Sequence, residues 1–203
     1  MTEQEAQVKI LEYFLRSYNC SEMIVALEMP FCEYKRRADM VLVVDGFTHA
    51  VEIKTKADNI GKLYDQISDY KKIFDFSYIA SEGRNFKSVI KRNYGNAGII
   101  NLDKNATRHR EAKQIKRLEK ISLLSSVDFS YIKRQKDAII KSTKQESINE
   151  TAKRMKIEDC RRVFVNFIID RYRPRSTSFF YEIGESIHTD DLLILSLPVA
   201  DLS

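Results

Sequence analysis

Apolar side chains recur along the first half of the chain with two different periods. In residues 3–17 they return every three or four positions, with Val8 and Leu11 on one stripe, which predicts an amphipathic helix. The same period predicts a helix over residues 59–74 and a shorter one over residues 86–92. Short apolar runs between these segments predict five strands, at residues 23–29, 38–44, 48–55, 76–80 and 97–102. The resulting order, α-β-β-β-α-β-α-β, predicts an α/β domain.

Asp45-Gly46 forms a strong two-residue turn signal between the second and third predicted strands. If the two strands pair symmetrically about this turn, Asp39 lies directly opposite Glu52. Directly opposed residues of an antiparallel pair have Cβ atoms about 4.5–5.5 Å apart, so the two carboxylates should be close neighbours. Lys54 follows Glu52 by two residues and therefore projects from the same face. The hairpin predicts a cluster of two carboxylates and one ammonium group.

The strands around this cluster are apolar. Residues 40–44 form a nearly continuous apolar run, and Val51 and Ile53 flank Glu52, a composition typical of strands buried on both faces. Charged groups in such strands are costly unless they are paired or bind a metal. Two interpretations are open, a buried salt bridge between lysine and a carboxylate, and a metal site beside a lysine, of which we favour the second. His49 is out of phase with Glu52 and should face away from the cluster.

The donor types of the cluster suit a hard divalent cation. Mg²⁺ prefers oxygen ligands, and Asp39 and Glu52 supply two carboxylates, to which the backbone carbonyl of Ile53 could add a third oxygen. Mg²⁺ or Mn²⁺ acidifies water and neutralises charge that develops on a phosphate. Lys54 is placed to orient or deprotonate the attacking water, or to stabilise an oxygen of the transition state. The cluster predicts metal-dependent hydrolysis of phosphodiesters.

The spacing of these residues resembles a known signature. Asp39, followed thirteen residues later by Glu52-Ile53-Lys54, is similar to the motif of the PD-(D/E)XK nuclease superfamily, with Ala38 where that family usually has proline. The resemblance covers about half of the chain. It implies a restriction-endonuclease-like core, in which a mixed central sheet is flanked by helices, and it implies that Asp39, Glu52 and Lys54 are catalytic.

A second motif lies on the helix predicted over residues 59–74. Gln66 and Tyr70 are four residues apart and share a helix face. They resemble the QxxxY element that follows the ExK strand in RecB-type members of the superfamily. The resemblance implies that Gln66 and Tyr70 lie beside the active site as accessory residues.

Many members of the superfamily use a further carboxylate from the first helix. Glu5 and Glu28 are candidates for this role, and Glu3 and Glu12 compete with them. Glu5 also has capping-box spacing to Thr2, and a helix N-terminus favours a glutamate whether or not that glutamate binds a metal. The choice among these glutamates stays open.

The second half of the chain has a different composition. Residues 103–175 contain no glycine, and Pro174 is their first proline, which favours helices. We expect helices over residues 105–124, 129–156 with breaks, and 158–172, and an irregular tail with an apolar run at 192–197. The net charge is 0 over residues 1–102, +10 over 103–175 and −5 over 176–203. The chain therefore divides into a nuclease-like core, 1–102, and a basic, mainly helical extension with a short acidic tail, 103–203.

The basic segment favours a polyanionic partner, and we expect nucleic acid, most simply DNA. Arg36 and Arg37 flank the predicted site and are candidates for phosphate contacts. Val163 and Phe164 belong to an apolar stripe that we expect to pack within the chain, although a homodimer or a protein partner could dock on the helical half. The alternative to a nuclease is a non-cleaving nucleic-acid-binding or protein-interaction subunit that keeps the nuclease fold.

Composition narrows the setting. The 203 residues are 43% hydrophobic and 31% charged, which is typical of a folded protein. No apolar run approaches the roughly 18 residues of a membrane span, since residues 192–200 are short and contain Pro198. The start of the chain is acidic and polar, and Cys20, Cys32 and Cys160 are too dispersed for a disulfide framework or a zinc knuckle. We therefore expect a cytoplasmic enzyme of repair, restriction or phage and genome defence, without a membrane partner.

Overall fold

The computed structural model describes residues 1–18, 22–33 and 35–197, which form an α/β fold. The strands are β1 Ile24–Phe31, β2 Arg36–Val44, β3 Phe47–Lys54, β4 Phe76–Ser81, β5 Gly98–Asn101 and β6 Thr107–Arg110. The helices are α1 Glu3–Ser17, α2 Leu63–Ile73, α3 Gly83–Val89, α4 Lys120–Ser125, α5 Phe129–Lys133, α6 Lys144–Arg154, α7 Ile157–Glu182 and α8 Leu192–Ser196. Within the described ranges, no helix combines the length and the hydropathy needed to cross a bilayer. Cys20 and Pro198 lie outside these ranges.

The six strands form one mixed sheet in chain order, β1-β2-β3-β4-β5-β6. The pairs β1-β2 and β2-β3 are antiparallel, β3-β4 and β4-β5 are parallel, and β6 returns antiparallel to β5. Parallel neighbours need a crossover connection, and α2 and α3 supply these two crossovers. The predicted α/β class and the element order of the first half are therefore confirmed, with a mixed sheet and a C-terminal helical part.

The tight turn between β2 and β3 sets the register of the hairpin. Asp45 and Gly46 have positive φ angles of 50° and 75°, the backbone that a two-residue hairpin turn of this kind requires. The ladder then pairs Val44 with Phe47 and continues to Met40 with Val51. The predicted symmetry about the turn is confirmed, and one further step along this register brings Asp39 opposite Glu52.

Each face of the sheet carries its own apolar cluster. The face that includes Ala50 packs against α2, α4 and the first part of α7, from which Phe164 is completely buried. The opposite face, which includes Val51, packs against α1, α8 and Phe179 from the later part of α7. The expectation that the apolar stripe of α7 packs within the chain is confirmed. Both clusters contain residues from before and after position 102. The division of the chain into two domains at that position stays a prediction.

Helix α7 covers the free edge of β1. The Val25 amide N donates a hydrogen bond to the Ser176 hydroxyl oxygen (2.9 Å), and this hydroxyl lies 3.3 Å from the Val25 carbonyl oxygen. An edge strand whose backbone groups are satisfied in this way is protected from pairing with another chain. Because residues beyond Pro174 hold this edge and fill the second cluster, α7 runs through the proline to Glu182, well past the predicted end at residue 172.

The predicted helix over residues 105–124 is wrong for most of its length. Residues 107–110 form β6, residues 111–119 have no regular structure, and α4 begins only at Lys120. The charged residues at 104, 108, 110, 113, 116 and 117 leave no apolar face that a helix could bury, and tertiary packing is what stabilises most helices. The backbone is satisfied by the core instead, since the amide of Ile115 donates to the Asp75 carbonyl and that of Glu119 to the Lys72 carbonyl. The expected break within residues 129–156 is confirmed by the gap between α5 and α6.

His49 lies on the face of β3 opposite to Glu52, as predicted, inside an aromatic cluster. Its ring stacks on Phe76 with centroids 4.7 Å apart, and its Nδ1 lies 3.1 Å from the Tyr78 hydroxyl oxygen. Burial lowers the pKa of His49 from 6.5 to about 4, although the charge of Asp75 opposes this shift. The imidazole is therefore neutral in the folded protein at neutral pH.

Acidification should destabilise the protein through His49. Below pH 6.5 the imidazole of His49 is protonated in the unfolded chain, but in the folded protein it stays neutral down to about pH 4. The free energy of unfolding therefore falls as pH falls through this window. The expected contribution is about 2 kcal/mol between pH 7 and pH 5. Urea unfolding of the parent protein and of His49→Phe at pH 7 and pH 5 measures this contribution. A variant that loses as much stability as the parent on acidification would contradict this assignment.

Candidate active site

Glu52 is the centre of a buried polar cluster on β3. Its side chain is completely buried, and the sheet places it beneath helix α2. Lys54 Nζ donates to Glu52 Oε1 at 2.6 Å, Gln66 Nε2 donates to the same oxygen, and the Tyr70 hydroxyl donates to Oε2. The structure therefore brings together four of the residues that the sequence singled out. Every one of the three donors is aimed at one carboxylate.

The protonation states of the donors follow from this geometry. Burial and the charges of Glu52 and Asp39 raise the pKa of Tyr70 well above its ordinary value, so the phenol keeps its proton and donates it. Burial alone would lower the pKa of Lys54, but the neighbouring Glu52 carboxylate outweighs burial and raises it. Lys54 is therefore an ammonium group at neutral pH.

Asp39 lies on β2 beside Glu52. Its Oδ2 accepts a hydrogen bond of 2.7 Å from the amide of Ile53, which ties the carboxylate to the neighbouring strand. Burial and the charge of Glu52 raise the pKa of Asp39 from 3.8 to about 8, although the Ile53 amide and Lys54 oppose the shift. A buried carboxylate whose proton affinity is raised by a neighbouring negative charge would be stabilised in its ionised form by a cation.

Two further glutamates converge on Asp39 from the other side. Glu28 of β1 lies opposite Asp39, because the ladder pairs Leu27 with Met40 and Met29 with Ala38. Glu28 has a positive φ of 49°, and the alternation of faces along β1 changes there, since Leu27 packs with one cluster and Met29 belongs to the other. Glu3, at the start of α1, completes the group. One carboxylate oxygen from each of Glu3, Glu28 and Asp39 lies within 4.8 Å of the others.

The other two glutamates considered for this role have different partners. Glu5 forms the predicted capping box, in which its carboxylate accepts from the Thr2 amide at 2.7 Å and its own amide donates to the Thr2 hydroxyl. Glu12 lies 3.6 Å from Arg16 on the surface of α1. The structure thus places Glu3 and Glu28 near Asp39, and Glu5 and Glu12 in local contacts of the helix.

The donor set fits an oxygen-seeking divalent cation. Asp39 belongs to two groups of carboxylates, one with Glu52 and one with Glu3 and Glu28. Burial and the charge of Glu3 raise the pKa of Glu28, so the second group is also crowded with negative charge. Carboxylates are ligands that Mg²⁺ and Mn²⁺ take. The carbonyl of Ile53, predicted as a third ligand, stays a prediction.

A cleft leads to this acidic group. It has a volume of about 420 Å³ and lies between α1, β1 and α8, with Glu3 and Glu28 on one side and Ser196 on another. Arg37 lies 3.7 Å from Glu28 and is largely exposed, while Arg36 pairs with Asp69 of α2 at 3.0 Å. Arg37 therefore lies beside one carboxylate of the acidic group, whereas Arg36 pairs with a carboxylate outside it, and a phosphate contact of either arginine stays a prediction.

The role of Asp39 in this crowded site gives a testable effect on stability. Because its pKa is raised, the folded protein binds more protons than the unfolded chain between about pH 4 and pH 8, so the Asp39 contribution destabilises increasingly as pH rises through that window. Asp39→Asn removes the charge and retains an acceptor for the Ile53 amide. We expect it to raise the free energy of unfolding by at least about 1 kcal/mol at pH 8 without added metal.

Chemical unfolding of both proteins at pH 8 and at pH 4 measures this effect. The gain should shrink at pH 4, where Asp39 is protonated in the folded protein and half protonated in the unfolded chain. A loss of stability at pH 8 would show that Asp39 is held by favourable pairing and not crowded by like charges.

Comparison with known proteins finds a family model and a phage protein that match nearly the whole chain. The family model described as Bacteriophage P4 protein cII matches residues 1–196. Protein cII of Enterobacteria phage P4 is 22% identical over 207 aligned positions, which cover 97% of this chain and 78% of that protein. Among solved structures, the SPO1766 protein of unknown function from Silicibacter pomeroyi matches with a TM-score of 0.45 and 14% identity, over 62% of this chain and 84% of that one.

Proposed function

This chain belongs to the bacteriophage P4 protein cII family, and we propose that it is a metal-dependent nuclease that hydrolyses nucleic-acid phosphodiester bonds. The observation that carries the proposal is the convergence of Lys54, Gln66 and Tyr70 on Glu52, with Asp39 adjacent on the next strand. A carboxylate pair, a lysine and a glutamine-tyrosine pair in this arrangement resemble the active site of the PD-(D/E)XK superfamily. The proposal includes the restriction-endonuclease-like core, which the sequence α1-β1-β2-β3-α2-β4 and its mixed sheet support.

The carboxylates would hold the metal. Asp39 and Glu52 are the proposed ligands for Mg²⁺ or Mn²⁺, and Glu3 and Glu28 are placed to add oxygen ligands beside Asp39. When bound, such an ion acidifies water and offsets negative charge on a phosphate. Between them, Gln66 and Tyr70 fix the orientation of Glu52, a second layer of hydrogen bonds that metal-binding carboxylates generally need.

Lys54 supplies positive charge in this scheme. Its raised pKa keeps it protonated, so it acts by donating hydrogen bonds to the attacking water or to a phosphate oxygen, in preference to removing a proton as a base. The two strand residues, Glu52 and Lys54, are on rigid β3, which positions the ammonium group without the entropy cost of ordering a loop.

DNA is the proposed substrate. A net charge of +10 over residues 103–175 supplies the positive potential that a polyanion requires, and the exposed Arg37 beside Glu28 is placed to meet a phosphate near the carboxylates. A homodimer or a protein partner on the helical half stays a prediction.

A cleavage assay tests the proposal. The purified protein is incubated with supercoiled plasmid, linear duplex, single-stranded DNA and RNA, in Mg²⁺ or Mn²⁺ and in EDTA, alongside Asp39→Asn. We expect metal-dependent cleavage that EDTA abolishes and that Asp39→Asn reduces by about 100-fold or more, because metal ligation is lost.

The controls separate the possible results. Asp39→Asn is compared at a temperature well below its own midpoint of unfolding, so that a folding defect is not read as lost activity. Cleavage that survives both EDTA and the substitution would come from another nuclease in the preparation. Absence of cleavage on all four substrates would overturn the proposal. If Mn²⁺ nevertheless raised the melting temperature of the parent protein and not that of Asp39→Asn, the metal site would stand without a nuclease activity, and without this metal effect a non-cleaving binding or assembly role would replace the proposal.

A further inference from the structure

A second cavity, of about 330 Å³, lies between α5 and α7. Tyr131 of α5 and Phe167 of α7 form part of its wall, and their rings meet edge to face with centroids 5.4 Å apart. The guanidinium carbon of Arg134 lies 5.2 Å from the centroid of the Tyr131 ring, and that of Arg171 lies 5.6 Å from the Phe167 ring. Aromatic rings beside arginine planes are the surfaces on which proteins stack unpaired nucleobases.

The polar groups of the cavity suit a base better than a phosphate. Asp170 accepts a hydrogen bond of 2.7 Å from the Tyr131 hydroxyl, and Asp128 accepts one of 2.9 Å from Arg171. A carboxylate has about four acceptor positions, so Asp170 can accept from a ligand while it keeps Tyr131. Carboxylates repel phosphate, but they accept hydrogen bonds from the exocyclic amino group of a base such as cytosine.

A chain of contacts connects this cavity to the candidate active site. Tyr70, which donates to Glu52, has its ring centroid 5.7 Å from that of Phe31 at the end of β1. Phe31 lines a small neighbouring cavity that shares Phe167 with the first one. The connection between β1 and β2 is also fixed to this region, because the Cys32 amide donates to the Ser126 hydroxyl at 3.0 Å.

Distance and charge along this route suit a nucleic-acid strand. Phe31 follows Glu28 by three residues, which is about 10 Å along a strand. The basic side chains of Lys35, directly before β2, and of Arg36 and Arg37, at its start, are 51–77% exposed. Arg36 and Arg37 pair across the ladder with Phe31 and Pro30, which line the small neighbouring cavity, so a strand that runs over the surface from the carboxylates to the aromatic cavity would pass these two arginines.

We propose that the cavity between α5 and α7 binds an unpaired nucleobase of a single-stranded nucleic acid, a few nucleotides from the phosphate at the carboxylates, and prefers a base with an exocyclic amino group. The placement relative to the phosphate rests on the proposed function. The binding itself requires neither metal nor cleavage, so it is measured independently of the nuclease activity.

The test is fluorescence anisotropy in EDTA, with fluorescein-labelled oligo(dC) and oligo(dT) of equal length. The two probes differ at position 4 of the pyrimidine, where cytosine has an amino group and thymine a carbonyl, and by the thymine methyl group. We expect oligo(dC) to bind several-fold more tightly, and Tyr131→Leu to weaken oligo(dC) binding at least about fivefold because a stacking surface is lost. Asp170→Asn should reduce the preference for oligo(dC) over oligo(dT).

Tyr181→Leu is the matched control, because Tyr181 lies on α7 with 88% of its surface exposed and takes no part in the cavity. Arg134→Gln is a third cavity variant, at an exposed position, and it guards against a folding defect in Tyr131→Leu. Thermal unfolding is recorded for all four variants. The proposal would be overturned if Tyr131→Leu and Arg134→Gln bound oligo(dC) as tightly as the parent protein does. It would also be overturned if the parent protein bound the two probes equally, or bound neither. Binding that depends on Tyr131, without any cleavage, would support the base-binding cavity and contradict the nuclease activity. Cleavage together with unaltered binding in the cavity variants would support the nuclease activity and contradict the base-binding cavity.

Discussion

Lys54→Ala is expected to lower the rate of phosphodiester cleavage by about 10²–10³-fold, the usual loss when one preorganised donor is removed from a transition state. Lys54 is the cation of the cluster, 2.6 Å from Glu52 Oε1 and only 11% exposed. Its raised pKa means that a full positive charge is lost with the side chain. The measurement is the single-turnover rate on whichever substrate the parent protein cleaves, at saturating Mg²⁺.

The neighbouring lysine provides the control. Lys56 is two residues further along, 66% exposed and 3.9 Å from Glu82, so Lys56→Ala should leave the rate within a few-fold of the parent protein. Melting temperatures of both variants with and without Mn²⁺ show whether Lys54→Ala retains the fold and the metal site. A rate unchanged by Lys54→Ala, or lowered equally by Lys56→Ala, would remove Lys54 from the catalytic assignment.

Arg161→Met is expected to destabilise the fold by about 3–5 kcal/mol, because it leaves a buried carboxylate without its cation. Asp75, directly before β4, is 1% exposed and accepts hydrogen bonds from Arg161 Nε and Nη2 at 2.7 and 2.9 Å. Arg161 also donates to the Gly46 carbonyl in the β2-β3 turn at 2.7 Å. One side chain of α7 thus joins the C-terminal half to the hairpin that carries the candidate site.

Urea unfolding measures this loss, with Arg162→Met as the comparison. Arg162 is the next residue, 67% exposed, and pairs with Asp159 on the surface of the same helix, so its removal should cost less than about 1 kcal/mol. The double variant Arg161→Met with Asp75→Asn should recover part of the loss, since the uncompensated charge is then absent. Similar costs for Arg161→Met and Arg162→Met would show that Asp75 is satisfied by Thr48 alone, which donates to it from both its amide and its hydroxyl.

The local pattern of the first half was enough to predict its elements. Alternating and three-to-four-residue periods place α1, α2 and the first five strands within a few residues of their observed bounds, and the Asp45-Gly46 turn determines the register of β2 and β3. Turn chemistry and strand register are properties of residues close in the chain, so the neighbourhood of Asp39, Glu52 and Lys54 could be predicted without a structure.

The second half was less predictable, because its structure depends on distant partners. Residues 107–110 were predicted as part of a helix, but they complete the sheet as β6. Helix α7 continues through Pro174 because Ser176 hydrogen-bonds to β1 and Phe179 packs against the sheet. A propensity for helix, inferred from the absence of glycine, is weak compared with the free energy of packing against a core.

The contacts of the carboxylate cluster also differ in how far the sequence predicts them. The sequence alone determined that Asp39 faces Glu52, that Lys54 shares its face, and that Gln66 and Tyr70 share one side of α2, since these relations follow from short-range periodicity. Only the tertiary structure decided that Gln66 and Tyr70 reach Glu52, and that Glu3 and Glu28 approach Asp39 while Glu5 caps its own helix. These contacts depend on how α1 and α2 dock on the sheet, and docking is set by the shapes of whole apolar faces, which no short stretch of sequence contains.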